Sequence, residues 1–153
     1  MSMTVAELLK DKDKARQLPG SALFSIKPDA PVAAAVTLMI QKSISSLVVL
    51  DGDAMLGLIT LRELLAGLNT HGERLLQTSC RNVMKANPPV AKPDDNVDHL
   101  RGLMTELHIT HVPVMNAGKL IGILSFHDIA RSAIKDVAFE NQLLKQYIKN
   151  WPA

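Results

Sequence analysis

The sequence predicts an α/β (α+β) protein made of two copies of one β-α-β-β-α unit, with a further helix at either end. Two observations carry this. The chain matches itself at a constant offset of 65 residues without a gap, and within each copy the apolar spacing switches between short β-branched runs and helical periodicity. Lys27-Pro28-Asp29 falls on Lys92-Pro93-Asp94, Val32 on Val97, Leu38-Met39 on Leu103-Met104, Ile44 on Ile109, Val49 on Val114 and Gly57 on Gly122. Leu58-Ile59-Thr60 pairs with Ile123-Leu124-Ser125, and Glu63 with Asp128. Only 3% of the residues are aromatic against 47% hydrophobic, so the core has to be aliphatic, with Met39, Met55, Met104 and Met115 filling it.

The first element expected is an amphipathic helix over Thr4–Gln17, with Val5, Leu8 and Leu9 on its apolar side, ending near Pro19-Gly20 and packing across the module. Short extended runs at Phe24–Ile26 and Pro89–Ala91 precede the two Lys-Pro-Asp turns, because proline fixes its own φ and pushes its predecessor out of the helical region. Asp29 and Asp94 are the candidate N-caps of the helices that follow. Val32, Val36, Met39 and Ile40 in one copy, and Val97, Leu100, Leu103, Met104 and Leu107 in the other, recur at helical spacing and predict one buried face each. Leu47–Leu50 and Met55–Ile59 read as strands of a hairpin turned at Asp51-Gly52-Asp53, and Val112–Met115 and Leu120–Leu124 repeat it around Asn116-Ala117-Gly118. Thr60 and Ser125 close the last strands and cap helices starting at Leu61 and Phe126. The expected organisation is an N-terminal helix at 1–17, repeats at 18–69 and 83–131, a linker at 70–82, and a C-terminal helix at 132–153. That last helix carries Ile134, Val137, Ala138, Leu144, Tyr147 and Ile148 on more than one face before Trp151-Pro152 ends it, which leaves apolar surface for a partner.

Several function classes find little support. The net charge of +2 is not gathered into a basic stripe, so nucleic acid is not an expected partner. Glu7, Lys10, Asp11 and Lys12 interrupt any apolar signal core, and no segment has the roughly 20 apolar residues of a membrane span, which makes a cytoplasmic location the expectation. One cysteine, Cys80, allows no internal disulfide, and no base stands beside it in sequence. His108 and His111 fall at a helix end and a strand start rather than on one helical face, with no carboxylate or cysteine to complete a metal site. No nucleophile, base and orienting acid can be assembled, so neither an enzyme nor a required cofactor is expected.

The repeated pattern of glycine, two apolar residues, Ser or Thr, two variable residues and an acid resembles the cystathionine β-synthase (CBS) domain, and two in tandem resemble a Bateman module. Val112-Pro113-Val114 followed by Gly122-Ile123-Leu124-Ser125-Phe126-His127-Asp128 carries it most fully, and Arg81-Asn82-Val83-Met84 resembles the lead-in of such repeats. The resemblance covers about Leu18 to Ala130, and with little else in the chain it is similar to the stand-alone bacterial members. It implies a two-layer module with pseudo-twofold symmetry and two clefts between the repeats, where an adenosine ligand (AMP, ADP, ATP, NAD or S-adenosylmethionine) binds for regulation. It also implies a homodimer formed through the helices and a separate effector protein.

The family's acid accepts hydrogen bonds from the ribose hydroxyls, and its Ser or Thr contacts phosphate or ribose. An anionic acceptor suits a vicinal diol, and a hydroxyl with free amides at a helix start suits a phosphate. Residue by residue, the resemblance assigns Ser125 and Asp128 to one cleft, completed by Ile26, Ser46 and Leu47, with His127 or Arg131 for phosphate charge. It assigns Thr60 and Glu63 to the other, completed by Ala91, His111 and Val112, with Arg62 for charge. The Ser125/Asp128 cleft is expected to be the better site, because Glu63 replaces the usual aspartate and Val48 stands where the second repeat has Pro113. A different class of function, a ligand-free interaction module acting through its C-terminal helix, competes with the sensor reading. A Ser-x-x-acid sequence is by itself an ordinary helix cap.

Overall fold

The computed structural model describes residues 3–16 and 23–149, with the backbone alone at 14–16, 135–140 and 147–149. The expected stops at Pro19-Gly20 and Trp151-Pro152, and the side chains of Val137, Ala138, Tyr147 and Ile148, lie outside the described residues. In chain order the elements are α1 (Val5–Arg16), β1 (Ser25–Ile26), α2 (Val32–Lys42), β2 (Ser46–Asp51), β3 (Ala54–Thr60), α3 (Leu61–His71), β4 (Lys85–Ala86), α4 (Val97–Leu107), β5 (His111–Asn116), β6 (Lys119–Ser125) and α5 (Phe126–Lys149). Two 3₁₀ turns, Gly72–Gln77 and Cys80–Asn82, fold the stretch expected to be a linker.

The 65-residue periodicity survives in three dimensions down to irregularities. β1 pairs in parallel with β2, placing Ile26 opposite Val49, and the equivalent Ala91 forms a parallel bridge to Val114, the residual of the strand expected over Pro89–Ala91. Both hairpins are antiparallel and both slip register at matching points, Val49/Leu50 and Val114/Met115. Their turns put Gly52 at φ +62°, and Ala117 and Gly118 at +52° and +79°, the left-handed region that two-residue hairpin turns demand. Ser43 and His108, again 65 apart, both end their helices in the left-handed conformation.

The caps differ from expectation. The residue ahead of α2 is Pro31, whose side chain accepts nothing, and ahead of α4 it is Asn96, whose Oδ1 accepts the His99 amide at 3.1 Å. Asp29 and Asp94 sit two positions too early, because the Lys-Pro-Asp segment closes a turn of its own before the helix begins. The buried face of α2 is Val32, Ala35 and Met39, while Ile40 points outward; on α4, Leu107 is exposed while Val97, Leu100 and Met104 are buried. α5 runs unbroken from the motif helix to Lys149, since no glycine or proline interrupts it.

Each repeat has its own core, and each core is completed by the segment that precedes the other repeat. Val5, Leu8 and Leu9 of α1 are buried with Val97, Leu100, Met104, Val112, Val114, Leu124 and Ile129. Cys80 is buried with Ala35, Met39, Leu47, Val49 and Ile59. The geometry is the same on both sides: the Val97 amide donates to Met3 O and the Val32 amide to Thr78 O, at 2.9 and 2.8 Å. Thr4 bridges Asn96 as Ser79 bridges Pro31.

Glycines admit these segments. A Cβ at Gly57 would stand 2.6 Å from Met84 Sδ and 2.7 Å from the Lys85 carbonyl, and one at Gly122 would stand 2.8 Å from a Leu9 methyl. Gly57→Ala, blocked by backbone, is therefore expected to cost about 2 kcal/mol, and Gly122→Ala less, because Leu9 can turn. Gly102, mid-helix in α4 with nothing within 4 Å of a Cβ, is the control; Gly102→Ala should stabilise by about 0.5–1 kcal/mol. Denaturant midpoints check the order, and equal costs at Gly57 and Gly122 would contradict it.

Candidate functional site

Strand alternation decides which predicted residues reach the inter-repeat space. Along β2, Ser46 and Val48 face a cavity while Leu47 and Val49 face the first core. Along β5, His111 faces the cavities and Val112 and Val114 face the second core. Ile26 packs on the first core and Ala91 lies in the second, so Ile26, Leu47, Ala91 and Val112 contribute no side chain to either cavity.

The two cavities are walled by residues related by the 65-residue offset. One is lined by Ser43–Ser46, Phe24 and Val48 from the first repeat, Ile123, Ser125 and His111 from the second, and Lys12. The other is lined by His108–His111, Leu107 and Pro89 opposite Leu58, Thr60, Arg62 and Glu63, with Lys85 and Pro88. Phe24 and Pro89 correspond, as do Leu58 and Ile123. Their sizes are unlike: about 90 Å³ on the Ser125 side and about 520 Å³ on the Thr60 side. Clefts that hold a nucleotide-sized ligand run roughly 300–1,000 Å³. The two cavities thus differ in size, and Lys12 stands in the wall of the smaller one.

Both Ser/Thr-x-x-acid motifs build reciprocal caps. The Ser125 amide donates to Asp128 Oδ2 at 2.9 Å and the Asp128 amide to Ser125 Oγ at 3.1 Å. The Thr60 amide and hydroxyl both donate to Glu63 Oε1, at 2.8 and 2.6 Å, and Thr60 Oγ1 accepts the Arg62 amide at 3.3 Å. The carboxylates then diverge. Asp128 is 4% exposed, with Oδ2 also taking Lys12 Nζ at 2.8 Å and Oδ1 taking Arg131 at 3.1 Å. Lys12 Nζ donates as well to Ile123 O at 2.8 Å. Among the described residues no hydrogen bond falls on Glu63 Oε2, which leaves an acceptor beside the larger cavity. Arg131 is tied to Asp128, and His127 is exposed and lines neither cavity.

Burial by itself pushes the Asp128 carboxyl up, but the Lys12 ammonium and the Ser125 amide and hydroxyl outweigh it and hold the group below the ordinary carboxylate range. His111 sits between the cavities, its Nε2 at 3.1 Å from Ser45 Oγ and its Nδ1 at 2.8 Å from Thr110 Oγ1. Burial and the Lys12 charge pull its imidazole down, against the raising pull of Asp128 and Glu63. Burial raises the Cys80 thiol, keeping it a small protonated core group. Among the described residues no group of three or more His, Cys, Asp or Glu could hold a metal ion, and no helix is long and apolar enough to cross a membrane.

Sequence reasoning missed Lys12, Lys85, His108 and the Ser43–Ser45 turn. The offset that relates Ser43–Ser46 to His108–His111 was the available signal for the last two; the lysines lie outside the repeated register.

A two-sheet module with paired inter-repeat clefts and duplicated Ser/Thr-x-x-acid caps defines a class of tandem regulatory domain. The CBS domain family model matches residues 15–69 and 80–135, and the chain belongs to that family. It is 29% identical over 153 residues to the mitochondrial CBS domain-containing protein CBSX3 of Arabidopsis thaliana, covering 97% of this chain and 73% of that one. A putative signal-transduction protein with CBS domains from Burkholderia ambifaria superposes with a TM-score of 0.77 at 32% identity, covering 88% of this chain and 96% of that one. CBSX2, solved in complex with AMP, superposes at 0.63 with 29% identity, covering 74% and 88%.

Removing Lys12 takes one of two cations from a buried carboxylate and leaves it Arg131 and the Ser125 amide, so Lys12→Met should cost on the order of 2–3 kcal/mol at neutral pH. The pH dependence follows from two depressed groups. Asp128 adds stability above about pH 4 that is lost as pH falls through its lower folded value. His111 protonates first in the unfolded chain, so stability rises with pH from its folded value up to about 6.5. Denaturant midpoints from pH 3 to 8 should slope upward across both windows, and His111→Gln should flatten the upper one. A flat upper window in the unaltered protein would contradict the histidine assignment.

Proposed function

We propose that this chain is a regulatory sensor that binds an adenosine nucleotide in the Thr60/Glu63 cleft and passes the change in repeat orientation to a partner protein. The observation that carries this is the open cavity of about 520 Å³, which brings a hydroxyl and a carboxylate at the start of α3 together with Arg62 and Lys85. Glu63 Oε2 is an acceptor for a ribose diol, and the two cations meet phosphate charge. The AMP complex of CBSX2, at 29% identity, supports an adenosine ligand over other compounds of this size.

A ligand in this cleft touches both repeats, since Thr60, Arg62 and Glu63 belong to one and His108–His111 to the other. It therefore shifts their relative orientation by its differential affinity for the two arrangements, and the same free energy appears in the affinity for the effector. We take the assembly to be a homodimer through helical faces, which the exposed Leu61, Leu65 and Leu68 of α3 and Ile134, Leu143 and Leu144 of α5 favour. No cofactor enters this scheme, and no bond is made or broken.

Calorimetry with AMP, ADP, ATP, NAD and S-adenosylmethionine should give saturable binding for at least one. Arg62 is exposed, so Arg62→Ala should leave the fold intact and weaken AMP about tenfold or more, the worth of one charge-assisted hydrogen bond, while leaving adenosine nearly unchanged. No binding at millimolar ligand would sink the sensor and leave the interaction module acting through the C-terminal helix.

A further inference from the structure

The lead-in segments, equivalent in how they dock, are unequal where they pass the clefts. Met3, Thr4 and Leu9 stand to the second repeat as Thr78, Ser79 and Met84 stand to the first. Beyond that point they part. The first lead-in continues as the helix α1 through Lys12 to Arg16. The second breaks into the two-residue strand β4, reaches Asn87 at φ +48°, and is stopped by Pro88 and Pro89. One segment thus sets its lysine on the motif carboxylate, while the other lines an open cleft with Lys85, for which no ion pair to Glu63 is formed among the described residues.

We propose that Lys12 is an internal occupant of the Ser125/Asp128 cleft, standing in the place of a ligand, so that this chain offers one nucleotide site rather than two. Its ammonium, on a side chain 11% exposed, lines the cavity and is held by Ile123 O, also in the cavity wall, and by Asp128 Oδ2 behind it. Asp128 Oδ1 goes to Arg131, so each carboxylate oxygen already faces a cation that a diol would have to compete with. The ammonium meets three complementary conditions there: a carboxylate, a backbone carbonyl and exclusion from water. A neutral ribose would have to displace an ion pair to enter. Val5, Leu8 and Leu9, buried in the second core, fix α1 so that Lys12 is presented without further ordering. The closure is therefore built into the fold, a property of this chain's N-terminal helix and not of the motif, whose Ser125 and Asp128 are intact.

This inference rests on the nucleotide reading of the Thr60 cleft, and titration of the unaltered chain, Lys12→Met and Lys12→Ala with AMP separates the two. The expected stoichiometry is one AMP per chain for the unaltered protein and two for either variant, with Asp128→Asn added to Lys12→Met returning it to one. Retained binding in the Thr60 cleft reports that each variant is folded. Two AMP in the unaltered chain, or one in both Lys12 variants, overturns the internal occupant while leaving the sensor standing. None in the unaltered chain with one in the variants overturns the Thr60 cleft alone, and none anywhere overturns both.

Discussion

The Met3 and Thr78 carbonyls each accept the first amide of a helix in the repeat their segment does not introduce, and the rest of the structure hangs on that exchange. A single repeat here is a two-stranded hairpin with a third short partner and two helices, too little to enclose an aliphatic core. Borrowing Val5, Leu8 and Leu9 for one core and Cys80 for the other closes both. The two halves are therefore crossed over each other rather than laid end to end. The glycines at 57 and 122 are consequences of the same crossing, since a sheet that receives a foreign segment so closely has no room for a side chain at the point of contact.

The crossing also explains why a duplication in one constant register yields unequal clefts. The walls come from within the repeats and obey the 65-residue register, so they match: Ser43–Ser46 with His108–His111, Phe24 with Pro89. The mouths are set by the lead-ins, which follow no such register. Where the lead-in is a regular helix, its third turn delivers an ammonium; where prolines follow, the backbone is forced extended and the space stays open. Inequality between the clefts thus enters through segments outside the repeated unit.

Most of the architecture was legible because it rests on periodicity. Hairpin positions, the cap residues Thr60 and Ser125, and the equivalence of the two copies all follow from alternation and one offset. What failed to read was what depends on turns and on distance. Asp29 and Asp94 looked like caps, yet a local turn consumes them before either helix starts. Ile40 and Leu107 fit a helical stripe that the sheet covers only in part. The stronger motif, with its aspartate and preceding proline, pointed to the Asp128 cleft, and nothing near Asp128 in sequence reveals a lysine 116 positions away at 2.8 Å. Motif strength measures kinship of the local chain, and cavity volume depends on whatever the rest of the chain puts there.

The imidazole of His111 is a wall of both cavities and is held from the first repeat by Ser45. A partition shared by two rooms ties their shapes together, so a turn of the ring that widens one narrows the other.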